Sequence, residues 1–176
     1  MGKSCKHENY KKCANPAIHG LHSEYVAGIM IGSQRLSDRL IKEFDMMKQF
    51  KDQGVKGVFN LEEPGEHPYC GDGIIPKTGF SYTPEILMEN RVEYYNMYWK
   101  DLTTPSHETS VKIVQLMHKI ICEGGPERRY KVLVHCHAGQ GRTAIIIGAY
   151  LLYGGLCDTA EEAVILSKKG RPKLFK

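Results

Sequence analysis

The sequence has few of the features that mark exported or membrane proteins. Its longest strongly apolar run, AIIIGAYLL, is about half the ~20 residues that a membrane-spanning helix needs. The opening, MGKSCKHENYKKC, contains no apolar stretch that could form the core of a signal peptide. We therefore expect a protein of the cytoplasm or nucleus without integral membrane association.

The six cysteines lack the dense, regular spacing of a disulfide scaffold, so we expect reduced thiols. The opening Met-Gly does not predict myristoylation, because that motif requires Ser or Thr where this chain has Lys6. Several possible metal ligands near the start also lack the tight spacing of a zinc site. We expect no metal and no other cofactor. These possible ligands are Cys5, His7, Cys13, His19 and His22.

The sequence also lacks a strong net charge. A formal charge of +4 is too small to predict a nucleic-acid partner. Positive charge is concentrated in residues 168–176, KKGRPKLFK, which we interpret as a solvated basic tail rather than a membrane-binding segment. No pattern in the sequence indicates the oligomeric state.

The chain has 176 residues, of which 41% are hydrophobic and 25% charged, and these values predict one globular domain. We take residues 1–22 as an N-terminal extension of this domain. Neither internal repeats nor low-complexity segments interrupt it.

Segments typical of strands and helices alternate along the chain. A β-rich entry (23–33) precedes one amphipathic helix that runs from a Ser37 cap to Gly54. Such alternation predicts an α/β fold with a central, mostly parallel twisted sheet flanked by helices. Three more strands, three more helices and a Gly- and Pro-rich loop are expected: strands at 55–61, 91–99 and 130–136, helices at 106–122, 142–153 and 159–168, and the loop at 62–79.

The stretch HCHAGQGRT, residues 135–143, lies where the last predicted strand runs into a helix. Ligands of parallel sheets bind beyond the carboxyl ends of strands. Backbone N–H groups of such a loop, together with the positive end of the helix dipole, form an anion site. Arg142 adds a planar fork that can hold two oxygens of a phosphate. The loop residues expected to bind phosphate are His137, Ala138, Gly139, Gln140, Gly141 and Arg142.

Cys136 lies at the base of this predicted site, where the surrounding positive groups favour a thiolate at neutral pH. A thiolate beneath a phosphate is a nucleophile for phosphorus, and a phosphocysteine intermediate would divide hydrolysis into two steps. Thr143 could donate its hydroxyl toward the sulfur, and His135 could orient the loop. A zinc site in HCH is disfavoured because adjacent residues at a strand end point to opposite sides.

The leaving oxygen needs a proton, and Asp101 is our candidate for the group that donates it. This residue follows Trp99 in a Thr- and Pro-containing loop that is suited to act as a movable flap. The same carboxyl would activate water in the second step. The alternative is that Asp101 only stabilises a turn or caps a helix.

HCHAGQGRT resembles the signature of cysteine-dependent protein phosphatases: Cys, five residues, Arg, then Ser or Thr. WKD resembles their acid loop, and CKHEN, NLEEPGEH and GFSYTPEILMEN extend the likeness over nearly the whole chain. The resemblance is to a dual-specificity-like branch that is also related to cell-cycle phosphatases. It implies the compact α/β phosphatase fold, metal-free hydrolysis of phosphoproteins, Cys136 as nucleophile, Arg142 as phosphate clamp and Asp101 as acid.

The resemblance also suggests that Glu66, His67 and Tyr69 rim the substrate cleft, although they could equally order only their own loop. The chain departs from the family pattern in two places. Ala144 stands where relatives usually carry Gly, and relatives continue beyond the equivalent of Arg171-Pro172 into a helical segment with a water-placing glutamine. The second departure leads us to expect slow turnover of the phosphocysteine.

Three functions remain open at this point. The first is a phosphatase for phosphotyrosine in proteins, with phosphoserine and phosphothreonine as further substrates. The second is a phosphoinositide phosphatase, which is disfavoured because such relatives tend to carry lysines in the phosphate loop, where this chain has His137 and Gln140. The third is a module that binds phosphorylated ligands but turns them over poorly.

Overall fold

The computed structural model describes Glu8 and residues 13–125 and 130–175 of the chain. A five-stranded sheet runs through these residues in the spatial order β1-β2-β5-β3-β4. Only β1 and β2 are antiparallel, and the other three pairings are parallel. The predicted mostly parallel sheet is therefore confirmed. The strands are β1 (Ser23–Val26), β2 (Met30–Ser33), β3 (Val55–Asn60), β4 (Glu93–Asn96) and β5 (Lys131–His135).

Six helices flank the sheet, and two clusters of buried residues form the core. One cluster contains apolar side chains of the three later helices, and the other contains those of the three earlier ones. Side chains of β5 alternate between them, since Val132 and Val134 belong to the first cluster and Leu133 to the second. The helices are α1 (Asp38–Glu43), α2 (Met46–Gln53), α3 (Glu85–Glu89), α4 (His107–Glu123), α5 (Gly141–Tyr153) and α6 (Ala160–Gly170).

The β-rich entry is a hairpin of β1 and β2. Two of its three turn residues, Ala27 and Gly28, have positive φ, at 52° and 70°. Three-residue hairpin loops commonly contain a left-handed residue, which lets the two strands pair closely. The hairpin places β2 beside β5, the strand that leads into the loop at 135–143.

The prediction of one continuous helix from Ser37 to Gly54 is wrong. The helix is interrupted at Phe44 and Asp45, and Asp45 adopts a left-handed backbone conformation with φ of 47°. Aspartate tolerates this conformation better than most residues, and the bend lets Met46 bury its side chain alongside Phe50. Helical spacing alone cannot reveal such a break, because the apolar residues keep nearly the same period on both sides of it.

The second strand after the hairpin is shorter than predicted, Glu93–Asn96 instead of 91–99, and α3, which precedes it, was not predicted. This helix has only five residues and starts after Pro84. A single helical turn carries too little periodicity for a sequence pattern to identify it.

Both ends of the described chain pack against the domain. The interpretation of residues 168–176 as a solvated tail is wrong for Arg171 and Leu174, whose side chains are fully buried. Ile18 and Leu21, in the predicted extension, also belong to the core. Cys5 and His7 lie outside the described residues. None of the helices in the described ranges combines the length and apolar character needed to cross a bilayer.

Candidate active site

The loop from His135 to Thr143 joins β5 to α5 at the carboxyl edge of the parallel strands. Asn60 at the end of β3 pairs with His135, and on its other side with Asn96 at the end of β4. The segments that follow these three strands therefore meet at one edge of the sheet. This arrangement brings Cys136 near the loop that follows β3 and the loop that contains Asp101.

The loop carbonyls between Cys136 and Arg142 face the body of the protein. The backbone N–H of Arg35 donates to the carbonyl of His137. The buried guanidinium of Arg171 donates to the carbonyls of Ala138 and Gly139, at 3.4 and 2.9 Å. The N–H of a trans peptide points opposite to its carbonyl, so the N–H groups that follow these carbonyls point away from the supporting arginines. Carbonyls turned toward the protein body, with amides pointing into the concave side of the loop, are what an anion-binding loop requires.

Gly139 is the tightest point of this loop. Its φ is +66°, and a Cβ atom added there would lie 2.0 Å from the carbonyl oxygen of Ser33. Only glycine fits this approach to β2 without a backbone shift. Gly141, by contrast, has nothing within 4 Å of such an atom.

The thiol of Cys136 is buried, with 5% of the residue exposed. Thr143 lies one turn into α5, and its hydroxyl donates to the sulfur across 3.3 Å. The contact predicted between these two side chains is therefore present. A hydroxyl donor at this distance stabilises negative charge on sulfur.

His135 supports Cys136 from inside the sheet. Its Nε2 atom lies 2.8 Å from the hydroxyl of Tyr82, and its Nδ1 atom lies 3.7 Å from a carboxylate oxygen of Glu62. Burial lowers the pKa of His135 to about 3, and burial raises the pKa of Glu62 to about 8. At neutral pH both groups are therefore uncharged, which removes the cost of burying an isolated charge beneath the nucleophile.

Every donor nitrogen of the buried Arg142 guanidinium faces a protein oxygen. Glu66 accepts two hydrogen bonds, at 2.9 and 2.6 Å. The carbonyls of Leu61 and Trp99 accept from the same guanidinium, at 2.8 and 3.2 Å. The remaining nitrogen, Nε, lies 3.3 Å from Asp101 Oδ1. The predicted phosphate clamp is thus held in one orientation by groups from two segments, the one that follows β3 and the one that follows β4.

Asp101 is half-exposed and stands between two site residues. Besides Arg142, it faces His67, whose Nε2 lies 3.5 Å from Asp101 Oδ2. A cleft of about 530 Å³ opens beside the carboxylate. A substrate entering this cleft would reach Asp101 and Arg142 together. The cleft is lined by Asp101, Leu102, Thr103, Thr104, Gly141, Arg142 and Ile145.

The loop that follows β3 contributes two of its three predicted rim residues. Glu66 binds Arg142, and the ring of His67 stacks on that of His137 with centroids 4.0 Å apart. Tyr69 is 87% exposed, and no contact of its side chain with the 135–143 loop is found among the described residues. The guanidinium of Arg35 fixes this loop by donating to the carbonyls of residues 66, 67 and 70.

Sequence reasoning missed four residues that support the site: Arg35, Glu62, Tyr82 and Arg171. All four are buried, and a buried arginine or glutamate is uncommon unless it has partners. Arg35 and Arg171 stand in stretches, GSQRLS and KGRPK, with no local pattern that distinguishes them from surface arginines. Only the resemblance to the family's Arg-Pro segment could have drawn attention to Arg171.

Comparisons with known proteins agree with this geometry. A sequence model of a family described as "Polymorphic toxin system, DSP-PTPase phosphatase" matches residues 34–156. Protein tyrosine phosphatase domain-containing protein 1 of Bos taurus is 36% identical over 173 residues, which are 97% of this chain and 21% of that protein. The tyrosine-protein phosphatase CDC14 homolog of Schizosaccharomyces pombe is 30% identical over 99 residues, 56% of this chain and 17% of its own. The chain thus spans about a fifth of these relatives.

Solved structures share the fold. Tk-PTP in its active form superposes with a TM-score of 0.65 at 23% identity, covering 86% of each chain. Kinase associated phosphatase with its catalytic cysteine replaced by serine gives a TM-score of 0.65 at 16% identity, covering 93% of this chain and 89% of that one. At these identities the likeness concerns the fold.

Proposed function

This chain belongs to the DSP-PTPase phosphatase family, and we propose that it hydrolyses phosphotyrosine in proteins through a phosphocysteine on Cys136. Phosphoserine and phosphothreonine are the second class of substrate. One arrangement of side chains carries the proposal. The hydroxyl of Thr143 donates to the Cys136 sulfur across 3.3 Å, and Nε of Arg142 lies 3.3 Å from the carboxylate of Asp101. A nucleophile, an anion clamp and an acid are thus grouped at one end of the sheet.

Phosphate binding falls to the loop amides and Arg142. The amides that point away from Arg171 and Arg35 supply neutral donors, and the helix α5 starts at Gly141 with its positive end toward the same site. In the free protein Glu66 and Asp101 occupy the guanidinium of Arg142. A phosphate dianion would take over the Nε side of the guanidinium from Asp101, while Glu66, on the two terminal nitrogens, keeps the arginine oriented.

Cys136 then attacks phosphorus, the phosphorus–oxygen bond to the tyrosine breaks, and Asp101 gives its proton to the leaving phenolate oxygen. In the second step Asp101 accepts a proton from water as that water attacks the phosphocysteine, and Thr143 stabilises the departing thiolate. The need for ionised sulfur and a protonated carboxyl gives a bell-shaped dependence of rate on pH.

The need for a reduced thiol fits substrates in the cytoplasm or nucleus, where thiols stay reduced. No metal or cofactor takes part in either step.

A phosphoinositide substrate is the second candidate. It is favoured by a 39% identity over 115 residues to the Arabidopsis thaliana protein named phosphatidylinositol 3,4,5-trisphosphate 3-phosphatase and protein-tyrosine-phosphatase PTEN1. Against it stands the phosphate loop, which carries His137 and Gln140 and no lysine. A highly charged inositol headgroup would find only Arg142 as a permanent cation in this loop.

The test compares substrates in a chelating buffer without added metal. The purified chain should release phosphate from p-nitrophenyl phosphate and from a phosphotyrosine peptide. Cys136→Ser should abolish turnover, and Asp101→Ala should slow it while retaining bound phosphopeptide. Inositol lipid vesicles and a phosphoserine peptide provide the competing substrates.

Each alternative has its own result. Turnover of inositol lipids alone would favour the second candidate. Binding of phosphopeptides by the wild type without hydrolysis of any aryl phosphate would show a binding module and would contradict the proposal. Cys122→Ser is the matched control, since it removes an exposed thiol on α4 away from the site.

A further inference from the structure

Three soft metal ligands meet at the rim of the phosphate loop. His67 and Cys70 come from the loop after β3, and His137 is the residue that follows the nucleophile. One ligand atom from each of the three lies within 4.8 Å of the others. The rings of His67 and His137 are stacked, with an angle of 17° between them.

The donor set matches zinc in its chemistry. Two imidazole nitrogens and one thiolate sulfur are the ligands that zinc prefers, and three protein ligands leave a fourth position for an exchangeable group. Ligand atoms around tetrahedral zinc, with bonds of ~2.0–2.3 Å, lie about 3.3–3.8 Å apart. The three ligand atoms already lie within 4.8 Å of one another, so side-chain rotations that move them by about 1 Å or less bring them to the spacing of zinc ligands.

The loop that carries two of the ligands is held in place by the protein. The buried guanidinium of Arg35 donates to the carbonyls of His67 and Cys70, at 3.2 and 2.8 Å. This fixes the His-x-x-Cys turn against the phosphate loop before any ion arrives. A ligand set on a fixed turn binds with less loss of conformational entropy than one on a flexible segment.

Charge and protonation at the cluster also suit a cation. Burial, and next the neighbouring His137, lower the pKa of His67. The carboxylates of Glu66 and Asp101 lie 3.9 and 3.5 Å from its Nε2 atom. A carboxylate of Glu8 lies 2.7 Å from Nε2 of His137. These three carboxylates offset the nearby guanidiniums of Arg35 and Arg142.

We propose that His67, Cys70 and His137 bind a zinc ion at the rim of the phosphate loop, and that the bound ion inhibits the phosphatase reaction. Inhibition follows from position. A cation on His67 attracts the carboxylate of Asp101, which lies 3.5 Å from Nε2 of that ring, and turns it away from the leaving oxygen that it must reach in the first step. The binding part stands without the proposed function, and the inhibition part rests on it.

Binding is tested on the Cys136→Ser protein, which lacks the nucleophilic thiolate as a competing ligand. Zinc is titrated in competition with a chromophoric chelator, and cobalt is used as a coloured substitute. We expect one equivalent of zinc and, with cobalt, a thiolate-to-metal charge-transfer band. Adding Cys70→Ser should remove the band and weaken zinc binding about tenfold or more. His67→Ala should weaken zinc binding to a similar extent.

Two control variants separate this site from other soft ligands. Cys122→Ser removes a thiol that lies 3.5 Å from Nε2 of His118, and Cys13→Ser removes a thiol near His22 and Glu24. Both should leave the titration unchanged in the Cys136→Ser background. Equal zinc affinity in the Cys70→Ser and parent proteins, or loss of binding in either control, would overturn the assignment. Thermal unfolding of each apo variant checks that it folds.

Inhibition is tested on the enzyme with Cys136 intact. Zinc should inhibit hydrolysis of p-nitrophenyl phosphate reversibly, a chelator should restore the rate, and Cys70→Ser should need about tenfold more zinc for half inhibition. Zinc bound through Cys70 without loss of rate would refute the inhibitory role. If the enzyme hydrolysed no aryl phosphate, the proposed function would fail, while the titration of the Cys136→Ser protein would still decide the binding site.

Discussion

Replacing Arg171 with Met should destabilise the fold and weaken oxyanion binding together. The guanidinium is fully buried, pairs with the Glu24 carboxylate and donates to the carbonyls of Ala138 and Gly139 in the phosphate loop. Burial lowers the pKa of Arg171 to about 10, which still leaves it charged at neutral pH. Methionine fills much of the same volume and supplies none of the donors.

The size of the effect follows from these partners. Removing one member of a buried ion pair costs roughly 3–5 kcal/mol. Glu24 keeps 20% of its side chain exposed and can regain some hydration, which places the loss of unfolding free energy near the lower limit. For a domain of this size, about 3 kcal/mol corresponds to a fall in Tm of roughly 6–12 °C. Loss of the hydrogen bonds to the carbonyls of Ala138 and Gly139 should also weaken phosphate binding, because the loop is then held less firmly.

Unfolding in guanidinium chloride measures the unfolding free energy, and isothermal titration calorimetry with phosphate measures the affinity of the loop for phosphate. Lys169→Met is the matched control, because it removes one positive charge from an exposed position in the last turn of α6, two residues before Arg171. We expect the control to change the unfolding free energy by less than about 0.5 kcal/mol. If Arg171→Met behaved like Lys169→Met in both measurements, the reasoning that the buried arginine shapes the phosphate loop would be refuted.

Three further predictions concern the site and its support. Glu66→Gln removes the charged partner of Arg142, so kcat should fall about tenfold because the clamp loses its orientation, and inhibition by phosphate should weaken for the same reason; unchanged kcat would contradict this. Burial lowers the pKa of His135 from 6.5 to about 3, so the unfolded chain binds this proton at a higher pH than the folded protein does. The unfolding free energy should therefore fall as pH drops from 6.5 toward 3, and this group contributes up to ~1.4 kcal/mol per pH unit. If the denaturant midpoint of a His135→Asn protein depended on pH in the same way as that of the wild type, this assignment of the pH dependence to His135 would be contradicted. Gly139→Ala should lower the unfolding free energy by about 2 kcal/mol or more, because φ at this position is +66° and a carbonyl oxygen lies 2.0 Å from the new Cβ atom. Gly141→Ala is the control and should leave the unfolding free energy nearly unchanged. Equal losses in the two variants would exclude this steric cause.

The phosphate loop could be predicted from sequence because its signals are local. Cys136, two glycines and Arg142 stand within seven residues, between a run of strand-forming residues and a helix. Asp101 was selected as the candidate acid in the same way, from a short stretch after a strand. The parallel order of strands then places both segments at one edge of the sheet, as the structure confirms.

The groups that hold this loop could not be predicted, since their contacts join distant parts of the chain. Arg171 reaches Gly139 across 32 positions, and Arg35 reaches Cys70 across 35. No local pattern distinguishes an arginine that will be buried against loop carbonyls from one on the surface. The break at Asp45 was not predicted because the apolar residues keep a helical spacing on both sides of it, and Met46 and Phe50 beyond it are both buried.

The central claim is that Cys136 forms a covalent bond to phosphorus, and mass spectrometry tests it most directly. An Asp101→Asn protein should form the intermediate normally from p-nitrophenyl phosphate, whose leaving group needs little help, but should hydrolyse it slowly. Rapid acid quenching and digestion should then give the peptide that contains Cys136 heavier by one phosphoryl group, with a burst of nitrophenol of equal amount. A burst with the phosphoryl group on another residue, or turnover that persists in Cys136→Ser, would contradict the account.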